Sequence, residues 1–227
     1  FFAYFVVVNR ALVSSVRHFV RRSLTYRNLS NMRLGIFGGA FDPVHNGHLL
    51  LAEQCREQCQ LDEVWFVPTN IPPHKAAGSL SPDADRVEML KLATAGRPEF
   101  VVSEIELKRE EVSWTVDTLR LLHDERPDDE LFFLIGADSL RDFPTWKEPK
   151  AIAHLASVVA VNRGETSLDE LTVGLKPELT ASVRHVTMPG ISISSTDLRS
   201  RVSAGKSIRY QVPRAVEEFI IQRKLFG

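Results

Sequence analysis

Short apolar runs recur along this chain, each stopped by glycine, proline or a polar turn, and between them apolar residues return at helical spacing. Leu34 to Phe37 is the first run that reads as a strand, and it ends in Gly38-Gly39. Asn46 to Gln60 follows as a helix, with Leu49, Leu50, Ala52 and Cys55 near one face. Val64 to Val67 is a compact strand stopped by Pro68; Asn70 to Lys75 is irregular, because Pro72 and Pro73 remove donors and constrain the backbone. Asp83 to Ala95 reads as a helix with Val87, Leu90 and Leu92 inward, and Phe100 to Ser103 as a strand. Glu104 to Glu111 alternates acids, bases and apolar residues, which suits a strand end and a surface connection. Ser113 or Thr115 is placed to cap the helix that holds Leu119, Leu121 and Leu122.

The second half repeats the alternation. Leu131 to Ile135 is the clearest internal strand, running into Gly136-Ala137-Asp138-Ser139, and Ala151 to Ala156 is a short helix. Val158 to Val161 is a further strand ending near Arg163-Gly164, residues 165–182 read as connection or irregular helix, and Val183 to Met188 is the last strand. Ser194 to Val202 and Pro213 to Leu225 close the chain as helices. Apolar strands separated by helices predict an α/β fold: a Rossmann-like open parallel sheet with helices on both faces and a small C-terminal helical element. Ligands in that architecture bind outside the carboxyl ends of the strands, an edge that Gly38-Gly39, the Pro72 loop, Gly136-Ala137-Asp138 and the Ser194-Ser195 turn can all reach.

Composition and charge refine the outline. With 227 residues and 44% apolar content the chain can bury one substantial core, assigned to residues 32–227. Residues 1–31 read differently: Phe1 to Val8 is apolar but too short to span a bilayer, and Arg10, Arg17, Arg21, Arg22 and Arg27 follow without an acid. An organellar transit peptide or an interfacial segment would have that composition. The first Met, Met32, lies just before the first convincing strand, so residues 1–31 are assigned to an N-terminal extension outside the core. Removing their +5 from the net −1 leaves −6 on residues 32–227, which argues against a nucleic-acid-coating surface. Cys55 and Cys59 are too few for a disulfide framework and fit buried thiols in a reducing, cytoplasmic setting. No integral membrane segment is expected; homo-oligomerisation is left open.

The candidate chemistry lies in the turn after the first strand. Neither a Walker lysine loop nor a complete G-x-G-x-x-G is present. What remains is a close-approach glycine turn with His45 and His48 three apart at a helix start, where backbone N–H groups can meet an anion. Imidazoles there can donate to phosphate oxygens. Two other readings stand beside this: histidines that merely cap the helix, and, with Asp42, a partial metal site.

From Gly38, the segment GGAFDPVHNGH resembles the nucleotidylyltransferase signature in its GG-x-F-D-P-x-H-x-G-H form, typical of bacterial nicotinate-nucleotide adenylyltransferases. Four later features extend the resemblance: Pro73-His74-Lys75; Ser113-Trp114-Thr115 with Asp117-Thr118-Leu119; Gly136-Ala137-Asp138-Ser139-Leu140 followed by Trp146; and Ile193-Ser194-Ser195-Thr196 with Arg199. Together they cover Met32 to Gly227.

The resemblance implies transfer of AMP from ATP to nicotinate mononucleotide, with Mg2+ arriving on the triphosphate. His45, His48 and Arg199 would be catalytic; Gly38, Gly39, Phe41, Lys75, Gly136, Asp138, Arg163, Ser194 and Ser195 would join them around ATP. Trp114, Thr115, Asp138 and Trp146 would take the nicotinate nucleotide. Each has a plainer alternative. The tryptophans can be core, Asp138 a cap, Arg163 a surface ion pair, Lys75 a solvated lysine, and the serines an N-cap followed by a surface Arg199. Arg86 is read as fold support. Trp114 stands where related enzymes often carry Tyr, and Arg163-Gly164 lacks an intervening proline common there. The competing functions are a related adenylyltransferase that prefers nicotinamide mononucleotide or phosphopantetheine, and a noncatalytic nucleotide-binding regulator.

Overall fold

The structure, a computed structural model, describes residues 31–71, 80–163 and 177–227. The chain divides into Phe1–Asn31 and Met32–Gly227, and the architecture below belongs to the second unit. Its elements run β1 (Arg33–Gly39), α1 (Asn46–Gln58), β2 (Glu63–Pro68), α2 (Asp83–Thr94), β3 (Phe100–Val102), α3 (Thr115–Glu125), β4 (Glu130–Gly136) and α4 (Ala137–Asp142). A 3-10 turn (Phe143–Thr145) leads to α5 (Pro149–Leu155), β5 (Ser157–Arg163), α6 (Pro177–Thr180), β6 (Val183–Met188), α7 (Ser195–Ser203) and α8 (Arg214–Arg223).

The strands form a parallel sheet in the order β3-β2-β1-β4-β5-β6. Their near-continuous apolar character follows from burial on both faces. Phe37, Phe66, Phe132, Leu134, Val159 and Val161 meet Leu51 and Cys55 of α1, Leu90 of α2, Leu198 of α7 and Ile220 of α8. The strand residues of the alternate register, Leu34, Ile36, Phe133, Ile135, Val158 and Ala160, turn to the other face against Leu119 and Leu122 of α3 and Ile152 of α5. At Gly35 an added Cβ would lie 2.7 Å from Leu61 Cδ1, so glycine lets the chain between α1 and β2 close on the sheet.

This strand order reverses direction between β1 and β4, and the crevice at the carboxyl ends of those two strands is where such sheets bind ligands. The Rossmann-like expectation is met. Several local expectations are corrected. Glu104 to Glu111 is a turn rather than a strand end, and Glu106 within it is 6% exposed, so the segment is not simply surface. The cap of α3 is Trp114, with no side-chain cap bond, in place of Ser113 or Thr115. Helix α4 and the 3-10 turn fill a stretch in which no helix was expected, and residues 164–176 of the expected connection lie outside the described residues. Among the described residues, no helix is long and apolar enough to cross a membrane.

Candidate active site

The site begins where β1 ends. Phe41 takes a left-handed backbone, φ 47°, and its ring folds back under the turn until it is 1% exposed. Gly39 permits this, since a Cβ there would sit 3.1 Å from that ring. The Phe41 ring lies edge-on to Phe37, at 5.4 Å, and to His48, at 5.1 Å. Any contact of Phe41 with a nucleotide therefore falls to its backbone. Gly38 differs from Gly39: an added Cβ would meet only Phe133, at 4.0 Å, and at Gly136 it would meet nothing within 4 Å. The fold's own packing requires glycine at neither position, and both flank the crevice.

His45 and His48 cap α1 reciprocally. His48 N donates to His45 Nδ1 at 3.3 Å, and His45 N donates to His48 Nδ1 at 3.2 Å. The rings stack with centroids 3.6 Å apart and planes 20° from parallel. Histidine is an unusual capping residue; here it does the work of the Ser/Glu capping box. Because each Nδ1 accepts, a neutral ring at either position carries its proton on Nε2; His45 is 3% exposed. The capping reading and the phosphate-donor reading are thus compatible in one geometry.

The end of the chain returns to this turn. Ser194 caps α7 by accepting from Asp197 N at 3.1 Å, Ser195 Oγ donates to Pro43 O at 2.9 Å, and Arg199 Nη1 donates to Asp42 O at 2.7 Å. Asp42 itself is 1% exposed; its Oδ2 accepts from Ser81 N at 3.1 Å, and its Oδ1 has no partner among the described residues. Arg86, fully buried, bridges Ala40 O at 2.8 Å and Ser81 O at 3.3 Å and pairs with Asp83. That is the fold-support role read from sequence.

On the β4 side a cavity of about 290 Å3 is lined by Gly38, Gly39, Gly136, Trp114, Thr115 and Trp146 among others. Trp146 is half-buried, edge-on to Phe133 at 5.9 Å and Phe143 at 5.7 Å, and Lys147 Nζ lies 5.5 Å from the Trp114 ring centroid. Lys147 is held by Asp117 at 2.9 Å. Asp138 is exposed in the first turn of α4, directly after β4. The wall also carries Glu106, Ser113, Thr118 and Thr69, none of which sequence reasoning singled out for the site. Burial pushes the Glu106 carboxyl up, against the pull of Thr118, Ser113, Arg109 and Thr69. Nothing local in the sequence marks Glu106, whose hydrogen-bond donor Thr118 lies twelve residues on.

The structure therefore gathers Gly38, Gly39, His45, His48, Ser194, Ser195 and Arg199 around one turn, and Gly136, Trp114, Thr115 and Trp146 around the adjoining cavity. Arg163 ends β5 at the same sheet edge. Lys75 lies outside the described residues.

At the strand-order reversal the fold thus joins a glycine turn, a histidine pair at the following helix start and a serine-arginine helix start. Residues 36–201 match the cytidylyltransferase-like family. Over 195 residues the chain is 46% identical to the "probable nicotinate-nucleotide adenylyltransferase" of Thermomicrobium roseum, spanning 86% of this chain and 91% of that relative. A relative of the same name from Thermus thermophilus is also 46% identical, spanning 86% of this chain and all of its own length. The chain belongs to the nicotinate-nucleotide adenylyltransferase family. In fold it is similar to Plasmodium falciparum nicotinic acid mononucleotide adenylyltransferase complexed with NaAD, with TM-score 0.73 and 20% identity over 86% of this chain and 98% of that one.

Proposed function

We propose that this protein transfers AMP from ATP to nicotinate mononucleotide, giving nicotinate adenine dinucleotide and pyrophosphate. The observation that carries the proposal is the crevice at the β1/β4 reversal, where a glycine turn with paired imidazoles adjoins a tryptophan-walled cavity. An acceptor phosphate oxygen attacks the α-phosphorus, a P–O bond forms, and the bond to the bridging oxygen breaks with its electrons leaving on pyrophosphate. No protein nucleophile is needed, so positioning and charge neutralisation carry the rate.

Each group has a part in that scheme. The open space over Gly38 and Gly136 admits the phosphates and ribose close to the backbone. His45 and His48 donate from Nε2 to phosphate oxygens, Ser194 and Ser195 add a helix start, and Arg199 adds a cation. Trp114 and Trp146 hold the pyridine ring, Thr115 reads its substituent, and Asp138 accepts from ribose hydroxyls. Arg163 and Lys75 are assigned to the ATP side on resemblance alone.

The described residues contain no group of three His, Cys, Asp or Glu placed to hold a metal. The donor set thus fits a Mg2+ ion carried on the triphosphate's own oxygens. When bound, that ion would offset phosphate charge. Two buried free thiols, Cys55 and Cys59, suit a reducing compartment such as the cytoplasm. We assign the activity to residues 32–227, with residues 1–31 outside the catalytic fold.

The test is pyrophosphate release from Mg-ATP with nicotinate mononucleotide, nicotinamide mononucleotide and phosphopantetheine side by side. Preference for the first is expected; equal or better turnover with either of the others overturns the acceptor assignment, and ATP binding without pyrophosphate from any of them indicates a regulator. Gly38→Ala separates site from scaffold. Its Cβ finds room in the protein, so thermal unfolding should shift by no more than about 2 °C, while kcat/KM for ATP should fall at least about tenfold as the methyl meets phosphate. Loss of stability matching the loss of activity would show that Gly38 serves the fold instead.

A further inference from the structure

Among the buried acids that phosphoryl transfer leaves unused, one belongs to the cavity wall. Glu106 is 6% exposed and lines the cavity that Trp114, Thr115 and Trp146 share. Its Oε2 makes no hydrogen bond of good geometry among the described residues, although the Ser113 and Thr69 hydroxyls lie near enough to favour the ionised carboxyl.

Hydrogen-bond directions decide where a proton on this group would sit. Arg109 Nη2 can only donate, and it does so to Thr118 Oγ1 at 2.6 Å. Thr118 then has one hydrogen to place, and Glu106 Oε1 at 2.8 Å is a better acceptor than Trp114 O at 3.4 Å. Oε1 is thereby occupied as an acceptor. A proton on the carboxyl then resides on Oε2, which is itself buried.

We propose that Glu106 is a specificity-determining residue whose neutral carboxyl donates from Oε2 to the ring carboxylate of the acceptor. This rests on the reading that the acceptor's pyridine ring enters between Trp114 and Trp146. A donor facing a carboxylate makes a charge-assisted hydrogen bond, stronger than the bond it makes to an amide oxygen. An ionised Glu106 would do the reverse, repelling the acid and accepting from the amide N–H. Burial favours the neutral form here and outweighs Thr118, Ser113, Arg109 and Thr69, which favour the ionised one, so the carboxyl holds its proton to higher pH than an ordinary glutamate. Arg109, 4.0 Å from Oε1, is the cation that faces it, and Lys147 on the cavity wall is already paired with Asp117.

The experiment compares kcat/KM for nicotinate and nicotinamide mononucleotides in wild type, Glu106→Leu and Glu106→Gln. Leu should cut the acid-over-amide ratio by about 10- to 100-fold, mostly through KM for the acid. Gln, neutral and able to donate while still accepting from Thr118, should rescue most of that ratio. An unchanged ratio in Leu, or a Gln variant as poor as Leu, overturns the inference. Absence of any wild-type turnover with nicotinate mononucleotide would instead overturn the acceptor reading on which it rests.

A second readout needs no activity. The folded state holds the Glu106 proton more tightly than the unfolded chain, so the stability it contributes is present at acid pH. It is lost as pH rises from the ordinary glutamate value through the raised one. Gln escapes that loss. The unfolding midpoint of Glu106→Gln minus that of wild type should grow as pH rises above the ordinary glutamate value; a constant or shrinking gap would overturn the neutral-acid assignment.

Discussion

His48→Ala is expected to lower kcat by about 10^2- to 10^3-fold while KM for both substrates stays within about threefold, because the donor it removes acts mainly on charge that develops in the transition state. The reciprocal cap complicates the experiment, since His48 Nδ1 also accepts from His45 N at 3.2 Å. Losing that cap costs about 1 kcal/mol by itself. His48→Asn resolves the two roles. Its side-chain oxygen can stand near the Nδ1 position and keep the cap, but nothing replaces the Nε2 donor. Wild-type thermal stability with the same fall in kcat is the expected result for Asn. Full turnover in a folded Asn variant would leave the imidazole with a purely structural task.

Arg86→Met should have the largest effect on stability, about 2–4 kcal/mol, or roughly 5–15 °C in the unfolding midpoint of a domain this size. Methionine fills much of the volume, so the loss reads the polar contacts. Ala40 O and Ser81 O lose their donor, and Asp83 loses its partner. Ala40 sits between Gly39 and Phe41, so the same variant should also lose kcat even well below its melting temperature. Thermal unfolding followed by steady-state assay at low temperature measures both. A midpoint within about 1 °C of wild type would mean that water replaces the guanidinium without penalty.

The sheet was legible because its strands are covered on both sides, so each one appears as an unbroken apolar run: Val183 to Met188 was read with the bounds that β6 has. Helix starts were legible where the capping chemistry is ordinary, as at Ser194. The start at Asn46 was legible too, with the histidines among the candidate caps, whereas the start after Trp114 was not, because no side chain caps it. Helix α4 escaped notice because only Leu140 of its six residues is buried, too little for a periodic signal. The phosphate side of the candidate site was named from the Gly38–His48 segment together with later motifs such as Ser194 to Arg199. The floor of the cavity was legible only at Thr118, within a quoted motif, because Glu106 and Arg109 look like an ordinary charged surface until the fold brings them to it.

One arrangement also bears on how the molecule is made. The carbonyls of Asp42 and Pro43 find their donors in Arg199 and Ser195, 157 and 152 residues later. A ribosome-bound chain that has emerged only as far as β6 already contains the strands, both imidazoles and the tryptophans, yet this corner of its backbone is still open to water. Such long-range closure is slow to form, and a prematurely released fragment never achieves it. Translation thus leaves the fastening of the first turn to one of the last helices synthesised.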